Sequence, residues 1–228
     1  MQTTLLLIAV LVIAIVDWTA VHKGWKTVEN IAKPATMVML FVTLAVAGGF
    51  GAMPLLCFGL GIIFSLAGDI FLLLSNRWFI AALAAFLLAH VSYIIGLNAP
   101  LGDASPLWEI IIGIILALAT ARVLRPILAG VREKGRGKLV IPVAAYGAVI
   151  TLMLLSALLT IFRTDWKIPA SGLVSLGAIL FYFSDIILAW NRFVKPINHG
   201  RLMNMIAYHL GQIALIAGVI IQFGKITH

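Results

Sequence analysis

The chain contains eight apolar runs that can each cross a lipid bilayer as a helix, a crossing that takes about 20 apolar residues. The runs are Thr3–Val16, Pro34–Ala47, Met53–Leu74, Trp78–Leu97, Leu107–Leu124, Leu139–Phe162, Ile168–Trp190 and Leu202–Phe223. The first two are short, and we expect their helices to extend into the flanking residues. The pattern predicts an all-α, polytopic membrane protein whose eight helices form one domain over residues 1–228.

The composition agrees with this prediction. The chain is 63% hydrophobic and only 11% charged, whereas soluble domains carry roughly a quarter charged residues. The single cysteine, Cys57, lies in an apolar run, so no intramolecular disulfide is possible. The net charge of +8 is typical of cationic loops on the cytoplasmic side of a membrane protein. Because no soluble domain is predicted, we expect no nucleic-acid partner.

The basic residues are distributed unequally between the two predicted sides of the membrane. Of the 16 Lys and Arg residues, 13 follow or flank the ends of runs 1, 3, 5 and 7, and only Arg163, Lys167 and Lys225 lie on the other side. The positive-inside rule assigns the basic side to the cytoplasm and both termini to the outside. In a bacterial cell this would be an integral, multi-pass protein of the inner (plasma) membrane.

Two of the apolar runs each contain one carboxylate well away from the ends of the run. Asp69 lies in FSLAGDIFLLLSNR and Asp185 lies in ILFYFSDIILAWNR, and both segments read Asp-Ile-x-Leu and then Asn-Arg. A charge inside the membrane costs several kcal/mol without a partner or a water-filled cavity, so each Asp is a functional-site hypothesis. Runs 3 and 7 cross the membrane in the same direction. We therefore expect both carboxyl groups at one depth, about 10–12 Å from the cytoplasmic helix ends, facing one enclosed cavity.

The same spacing suggests an internal repeat. Runs 3 and 7 are four apart, as expected if two four-helix halves form a parallel 4+4 repeat. The prolines of Lys33-Pro34 and Ile141-Pro142 open runs 2 and 6, where proline suits the first helical turn.

Paired carboxylates in a low-dielectric site suit general acid–base catalysis. Two like charges held close together favour a state with one protonated and one ionised group. Such a pair can hydrolyse a substrate through an oxocarbenium-like state, as in glycosidases. The alternative is that each Asp is neutral, or only forms hydrogen bonds to a neighbouring helix.

Further polar side chains in the apolar runs are candidates for lining the site. His90 and Tyr93 share one helix face, and Tyr182 lies on the same side of its helix as Asp185. The candidate lining residues are Lys33, His90, Tyr93, Tyr146, Tyr182, Tyr208, His209 and Gln212. Each could instead serve packing or interhelical hydrogen bonding.

Metal binding is not expected. Catalytic zinc takes three protein ligands, and the remaining histidines, His22, His199 and His228, fall at the predicted membrane ends. We expect no other cofactor.

Basic residues and glycines of the runs have simpler expected roles. Lys33, Arg77, Arg192 and Lys195 lie at the predicted inner rim, where they anchor helices or together receive a lipid phosphate. Glycines in the runs are expected to allow close helix packing; they include Gly59, Gly61, Gly68 and Gly177.

At these residues the sequence resembles the YhhN family of membrane proteins, which includes the mammalian transmembrane lysoplasmalogenases. The matching pieces occur in order along nearly the whole chain. They are Lys33-Pro34, Gly68-Asp69 with Leu72, Phe86-x-x-x-His90-x-x-Tyr93, Pro142 with Tyr146 and Met153, Gly177-Ala178-x-x-Phe181-x-x-Ser184-Asp185-x-x-Leu188-Ala189-x-x-x-Phe193, and Tyr208 with Gln212.

The resemblance implies an eight-span ether hydrolase that cleaves the vinyl ether bond of lysoplasmalogens, a class of membrane lysophospholipid. The products would be a fatty aldehyde and glycerophospho-ethanolamine or -choline, with Asp69 and Asp185 as acid and base in an unassigned order. Two other classes fit the residues. One is a proton-coupled transporter of lipids or small solutes, and the other is a non-catalytic lipid-binding membrane protein.

Overall fold

The computed structural model describes residues 2–99 and 106–224. The helices are α1 (Gln2–Lys23), α2 (Lys26–Gly48), α3 (Met53–Leu73), α4 (Phe79–Asn98), α5 (Pro106–Glu133), α6 (Val140–Leu159), α7 (Ile168–Phe193) and α8 (Gly200–Phe223). Short 3₁₀ turns precede α4 and α6 and follow α6. The described part of the chain contains no strand. All eight helices are long and apolar enough to span a membrane, which confirms the prediction of an all-α, multi-pass membrane protein.

The first two helices extend beyond their apolar runs, as expected. α1 continues past Asp17, and α2 begins eight residues before Pro34. The prediction that Pro34 opens its helix is therefore wrong, because Pro34 lies inside α2. The turns that precede it are stabilised instead by contacts of Glu29 and Lys33 with other helices. The orientation in the membrane and the 4+4 repeat stay predictions, and Lys225 and His228 lie outside the described residues.

Consecutive helices pack as neighbours. α1 packs with α2, α3 with α4, and α7 with α8, while α6 joins α4 to α7, and α5 lies outermost against α6 and α7. The main apolar core lies between these helices, and its fully buried members include Leu40, Phe58, Ile62, Tyr93, Met153, Phe181 and Leu215. A smaller second cluster contains Phe79, Ile127, Val131, Val143 and Phe193. The C-terminal ends of α1, α3, α5 and α7 meet the N-terminal ends of α2, α4, α6 and α8 at one end of the bundle. We call it the basic end, because most Lys and Arg residues lie there.

The packing of α7 on α8 depends on glycine. A Cβ atom added to Gly177 would lie 2.6 Å from the Leu215 amide nitrogen and 2.7 Å from the Gly211 carbonyl oxygen. The two backbones are therefore in contact, which only small residues allow. This confirms the expectation that Gly177 serves close helix packing. The contact holds the polar residues of α8 against the bundle interior.

Candidate active site

Asp185 lies at the centre of a polar cluster formed by three helices. Tyr146 of α6 donates a hydrogen bond to Asp185 Oδ2. His90 of α4 is completely buried, and its Nε2 atom lies 3.4 Å from the same carboxylate oxygen and 2.9 Å from the Tyr146 hydroxyl. On the other side of the imidazole ring, Nδ1 lies 3.3 Å from the Met153 sulfur. The structure thus brings together three residues that the sequence analysis proposed for the site: His90, Tyr146 and Asp185.

This cluster borders an apolar cavity between α3 and α4 on one side and α5, α6 and α7 on the other. Asp185 and Tyr146 contribute polar atoms to a wall that is otherwise almost entirely aliphatic and aromatic. Tyr182 also lines the cavity, but its hydroxyl is hydrogen-bonded to Thr120 at 2.7 Å. The cavity therefore offers an apolar slot with the carboxyl group of Asp185 at its edge.

A second, polar cavity opens at the basic end, and we call it the polar vestibule. Its polar lining residues are Glu29, Lys33, Asn191, Arg192, Arg201 and Asn204. Leu72, Leu188 and Arg192 line both the vestibule and the apolar cavity, so the two spaces are neighbours that share one wall. A molecule with a polar head and an apolar tail matches this arrangement.

Asp69 belongs to a separate cluster. Lys33 Nζ of α2 lies 3.0 Å from Asp69 Oδ1, and the Tyr208 hydroxyl of α8 donates to Asp69 Oδ2 at 2.7 Å. All three side chains are buried. Of the three, Lys33 lines the polar vestibule, whereas Asp69 lines neither of the two cavities.

An aromatic layer separates the clusters of Asp69 and Asp185. The Phe181 ring centroid lies 4.7 Å from that of His90 and 5.3 Å from that of Tyr208. Phe86 packs edge-on against both Phe181 and Tyr208. The structure therefore differs from the expectation that both carboxyl groups face one chamber. The expected distance of both carboxyl groups from their helix ends is wrong for Asp69: α7 continues eight residues, about 12 Å, beyond Asp185, but α3 ends at Leu73, four residues or about 6 Å beyond Asp69. The helix rotation that decides the partner of each carboxyl group could not be predicted from the spacing within one helix.

The remaining candidate residues lie away from both cavities. Tyr93 donates to Gln212 Oε1 at 2.8 Å, and Gln212 donates to Ser65 at 3.0 Å, within the buried core. His209 accepts a hydrogen bond from the Trp18 indole at 3.1 Å and is also fully buried. None of Tyr93, His209 and Gln212 lines the apolar cavity or the vestibule. Among the described residues, no three His, Cys, Asp or Glu side chains are grouped as a metal site requires.

Two buried acids were missed by the sequence analysis. Asp17 was left outside the first apolar run, although the apolar residues Ala20 and Val21 follow it closely. Glu29 is ion-paired with Arg201 and lies 3.5 Å from Lys26. The position of Glu29 in the sequence could have indicated this, because a residue four positions before Lys33 lies on the same helix face.

Comparison with known proteins relates the chain to one family of proteins. The family model described as the YhhN family matches residues 28–219. The human lysoplasmalogenase TMEM86B is 31% identical over 138 residues, which are 60% of this chain and 52% of that protein. The mouse lysoplasmalogenase TMEM86B is 38% identical over 90 residues, 40% of this chain and 35% of the mouse protein.

The aligned part thus spans about half the length of the human relative and about a third of the mouse relative. No solved structure is significantly similar to the chain. The family match covers most of the sequence and includes the Lys33, Asp69, His90, Tyr146, Asp185 and Tyr208 positions. The chain therefore belongs to the YhhN family.

Proposed function

We propose that this protein is a membrane hydrolase that cleaves the vinyl ether bond of lysoplasmalogens. The products are a fatty aldehyde and glycerophospho-ethanolamine or -choline. The observation that carries the proposal is the position of Asp185, hydrogen-bonded to Tyr146 and beside His90, at the edge of an apolar cavity that adjoins a polar vestibule. The two relatives described above are named lysoplasmalogenases, which supports the same substrate class.

The two cavities suit the two parts of such a lipid. The alkenyl chain fits the apolar cavity, where burial of each methylene group contributes about 0.8 kcal/mol. The phosphate-bearing headgroup fits the polar vestibule, which Lys33, Arg192 and Arg201 line. The vinyl ether joins the chain to glycerol, so it would lie in the apolar cavity beside Asp185, between the alkenyl chain and the headgroup.

The chemistry requires an acid and then a base at one position. The protonated Asp185 carboxyl group delivers its proton to the alkene carbon that is not bonded to oxygen, and the adjacent carbon becomes part of an oxocarbenium ion. Water adds to this carbon, and the Asp185 carboxylate takes up the proton that the water releases. The resulting hemiacetal collapses to the aldehyde, and the glycerol oxygen leaves as an alcohol. Tyr146 and His90 hold the carboxyl group in place and exchange protons with it.

Asp69 takes a supporting role in this proposal. It is separated from the apolar cavity by Phe86 and Phe181, and it holds Lys33 at the wall of the vestibule. It is therefore a positioning residue, and Asp185 acts as both acid and base in turn.

The test is release of aldehyde from lysoplasmenylethanolamine by the purified protein in micelles. Asp185→Asn should lower kcat by about 100-fold or more, the usual size of a general acid–base contribution. The matched control is Asp165→Asn, which removes an exposed carboxylate far from both cavities and should leave kcat unchanged. Full turnover by Asp185→Asn would contradict the proposal. Movement of the lipid across proteoliposomes without aldehyde release would instead support a transporter.

A further inference from the structure

Among the described residues that line the polar vestibule, one cation, Arg192, has no carboxylate partner. Within residues 2–99 and 106–224, Lys33 is paired with Asp69 and Arg201 is paired with Glu29. Arg192 forms no salt bridge there. Its guanidinium donates one hydrogen bond of 3.2 Å to the Asn76 side-chain oxygen and lies 3.8 Å over the Phe79 ring, while its buried Nε atom has no acceptor. The wall of the vestibule therefore keeps one positive charge available to an anion.

Arg192 also lies where the two cavities meet. It lines both the apolar cavity and the vestibule. It follows Asp185 by seven residues on α7, close to two full helical turns, so the two side chains leave the same helix face about 10 Å apart along the axis.

This spacing matches the length of a glycerophospholipid between its sn-1 linkage and its phosphorus. From the protonated alkene carbon to the phosphorus there are seven covalent bonds. Three main-chain bonds of an extended chain span about 3.5 Å, so seven bonds span about 8 Å. Because arginine binds phosphate oxygens through a rigid pair of N–H donors, it suits this end of the molecule.

We propose that Arg192 binds the phosphate of a single-chain glycerophospholipid, and that its distance from Asp185 along α7 selects the sn-1 linkage as the group held at that carboxylate. The selection of the linkage rests on the proposed function, whereas the binding of the phosphate does not. Arg192 is then a specificity-determining residue. A lipid without phosphate would enter the apolar cavity with no contact that fixes which of its bonds lies beside Asp185.

The binding test uses lysophosphatidylethanolamine with a saturated ester-linked chain, a ligand without a vinyl ether. Its affinity for the purified protein in micelles is compared with that of a monoacylglycerol of the same chain length. Arg192→Gln should weaken binding of the phospholipid about 10- to 100-fold, the range of charge-assisted hydrogen bonds. It should leave monoacylglycerol binding within about twofold, and Arg192→Lys should recover part of the loss. The matched control is Arg132→Gln, which removes an exposed arginine at the same end of the bundle.

The outcomes separate this inference from the proposed function. Equal loss of both ligands in Arg192→Gln, or no loss of either, would overturn the role of Arg192. Inorganic phosphate that competes as strongly as glycerophosphoethanolamine would identify a free-anion site and would also overturn it. If Arg192→Gln loses phospholipid binding while the parent protein releases no aldehyde, the inference stands and the proposed function fails. If Arg192→Gln releases aldehyde with an unchanged KM, the proposed function stands and the inference fails.

Discussion

Lys33 and Asp69 form an ion pair of 3.0 Å in which only 4% and 1% of the side chains are exposed. The pair connects α2 to α3 inside the bundle, and the Tyr208 hydroxyl satisfies the second carboxylate oxygen. Removing one partner of such a pair leaves a buried charge uncompensated, which is more costly than removing both. The pair therefore makes the fold depend on both residues together.

We expect Lys33→Met to lower the free energy of unfolding by about 3–5 kcal/mol. The double variant Lys33→Met/Asp69→Asn should recover most of this loss, because the neutral amide oxygen still accepts from Tyr208. Equilibrium unfolding in detergent micelles, followed by circular dichroism, measures both. If the loss of unfolding free energy in the double variant equals the sum of the losses in the two single variants, the two charges do not stabilise each other.

The hydroxyl of Tyr146 should matter for catalysis more than for stability. Tyr146→Phe keeps the ring but removes the hydrogen bond to Asp185. A hydrogen bond to a charged group contributes about 1.5–3 kcal/mol, so kcat for aldehyde release should fall about 10- to 100-fold.

The matched control for Tyr146→Phe is Tyr182→Phe. Tyr182 lines the same apolar cavity, but its hydroxyl is bonded to Thr120 and not to Asp185. Its kcat should stay within about threefold of the parent value. If kcat falls equally in the two variants, the loss comes from a change in the shape of the cavity wall. The role given to the Tyr146 hydroxyl would then be rejected.

The sequence could predict the membrane-spanning helices, because long apolar runs are local signals. It could not predict partners across helices. His90 and Tyr93 are one turn apart, yet His90 reaches Asp185 and Tyr93 reaches Gln212. Residues three apart on a helix differ by about 60° in direction. In a crowded bundle this difference is enough to select a different neighbouring helix.

The two missed acids have a different cause. Asp17 and Glu29 lie at the edges of apolar runs, where charged residues are usually in contact with water or lipid headgroups. Both are buried, because α1 and α2 continue beyond those runs and the side chains turn towards α8. The spacing of Glu29 from Lys33 indicates that they share a helix face, but only the relative rotation of whole helices decides whether that face lies inside the bundle.

The contact between α7 and α8 predicts a strong effect of one methyl group. Gly177→Ala introduces a Cβ against backbone atoms of Leu215 and Gly211, which cannot rotate away. The free energy of unfolding should fall by about 1–3 kcal/mol, as in other overpacked cores. In Gly172→Ala on the same helix, no atom of another described helix lies within 4 Å of the new Cβ. It should be neutral or stabilising by up to about 1 kcal/mol. Equal stability of the two variants in micelles would disprove the backbone contact.

Asp17 is a buried carboxyl group without a hydrogen bond in the described part of the chain. It is completely shielded, and neither of its oxygens has a donor. The nearest ionisable group is His209, whose Nδ1 lies 3.9 Å from Oδ2. This nitrogen already accepts from the Trp18 indole. Because a nitrogen that accepts carries no proton, it cannot donate to Asp17.

Asp17→Asn should therefore raise the stability of the protein. Replacing an unpaired buried carboxyl group by a neutral amide of the same shape removes part of a desolvation penalty, and we expect a gain of about 1–3 kcal/mol in unfolding free energy. Asp165→Asn, which changes an exposed carboxylate, should stay within about 0.5 kcal/mol of the parent. The gain should appear with unchanged aldehyde release, because Asp17 lines neither cavity. A loss of stability in Asp17→Asn would mean that this carboxylate has a partner, such as ordered water between α1 and α8, and that its charge contributes to the fold.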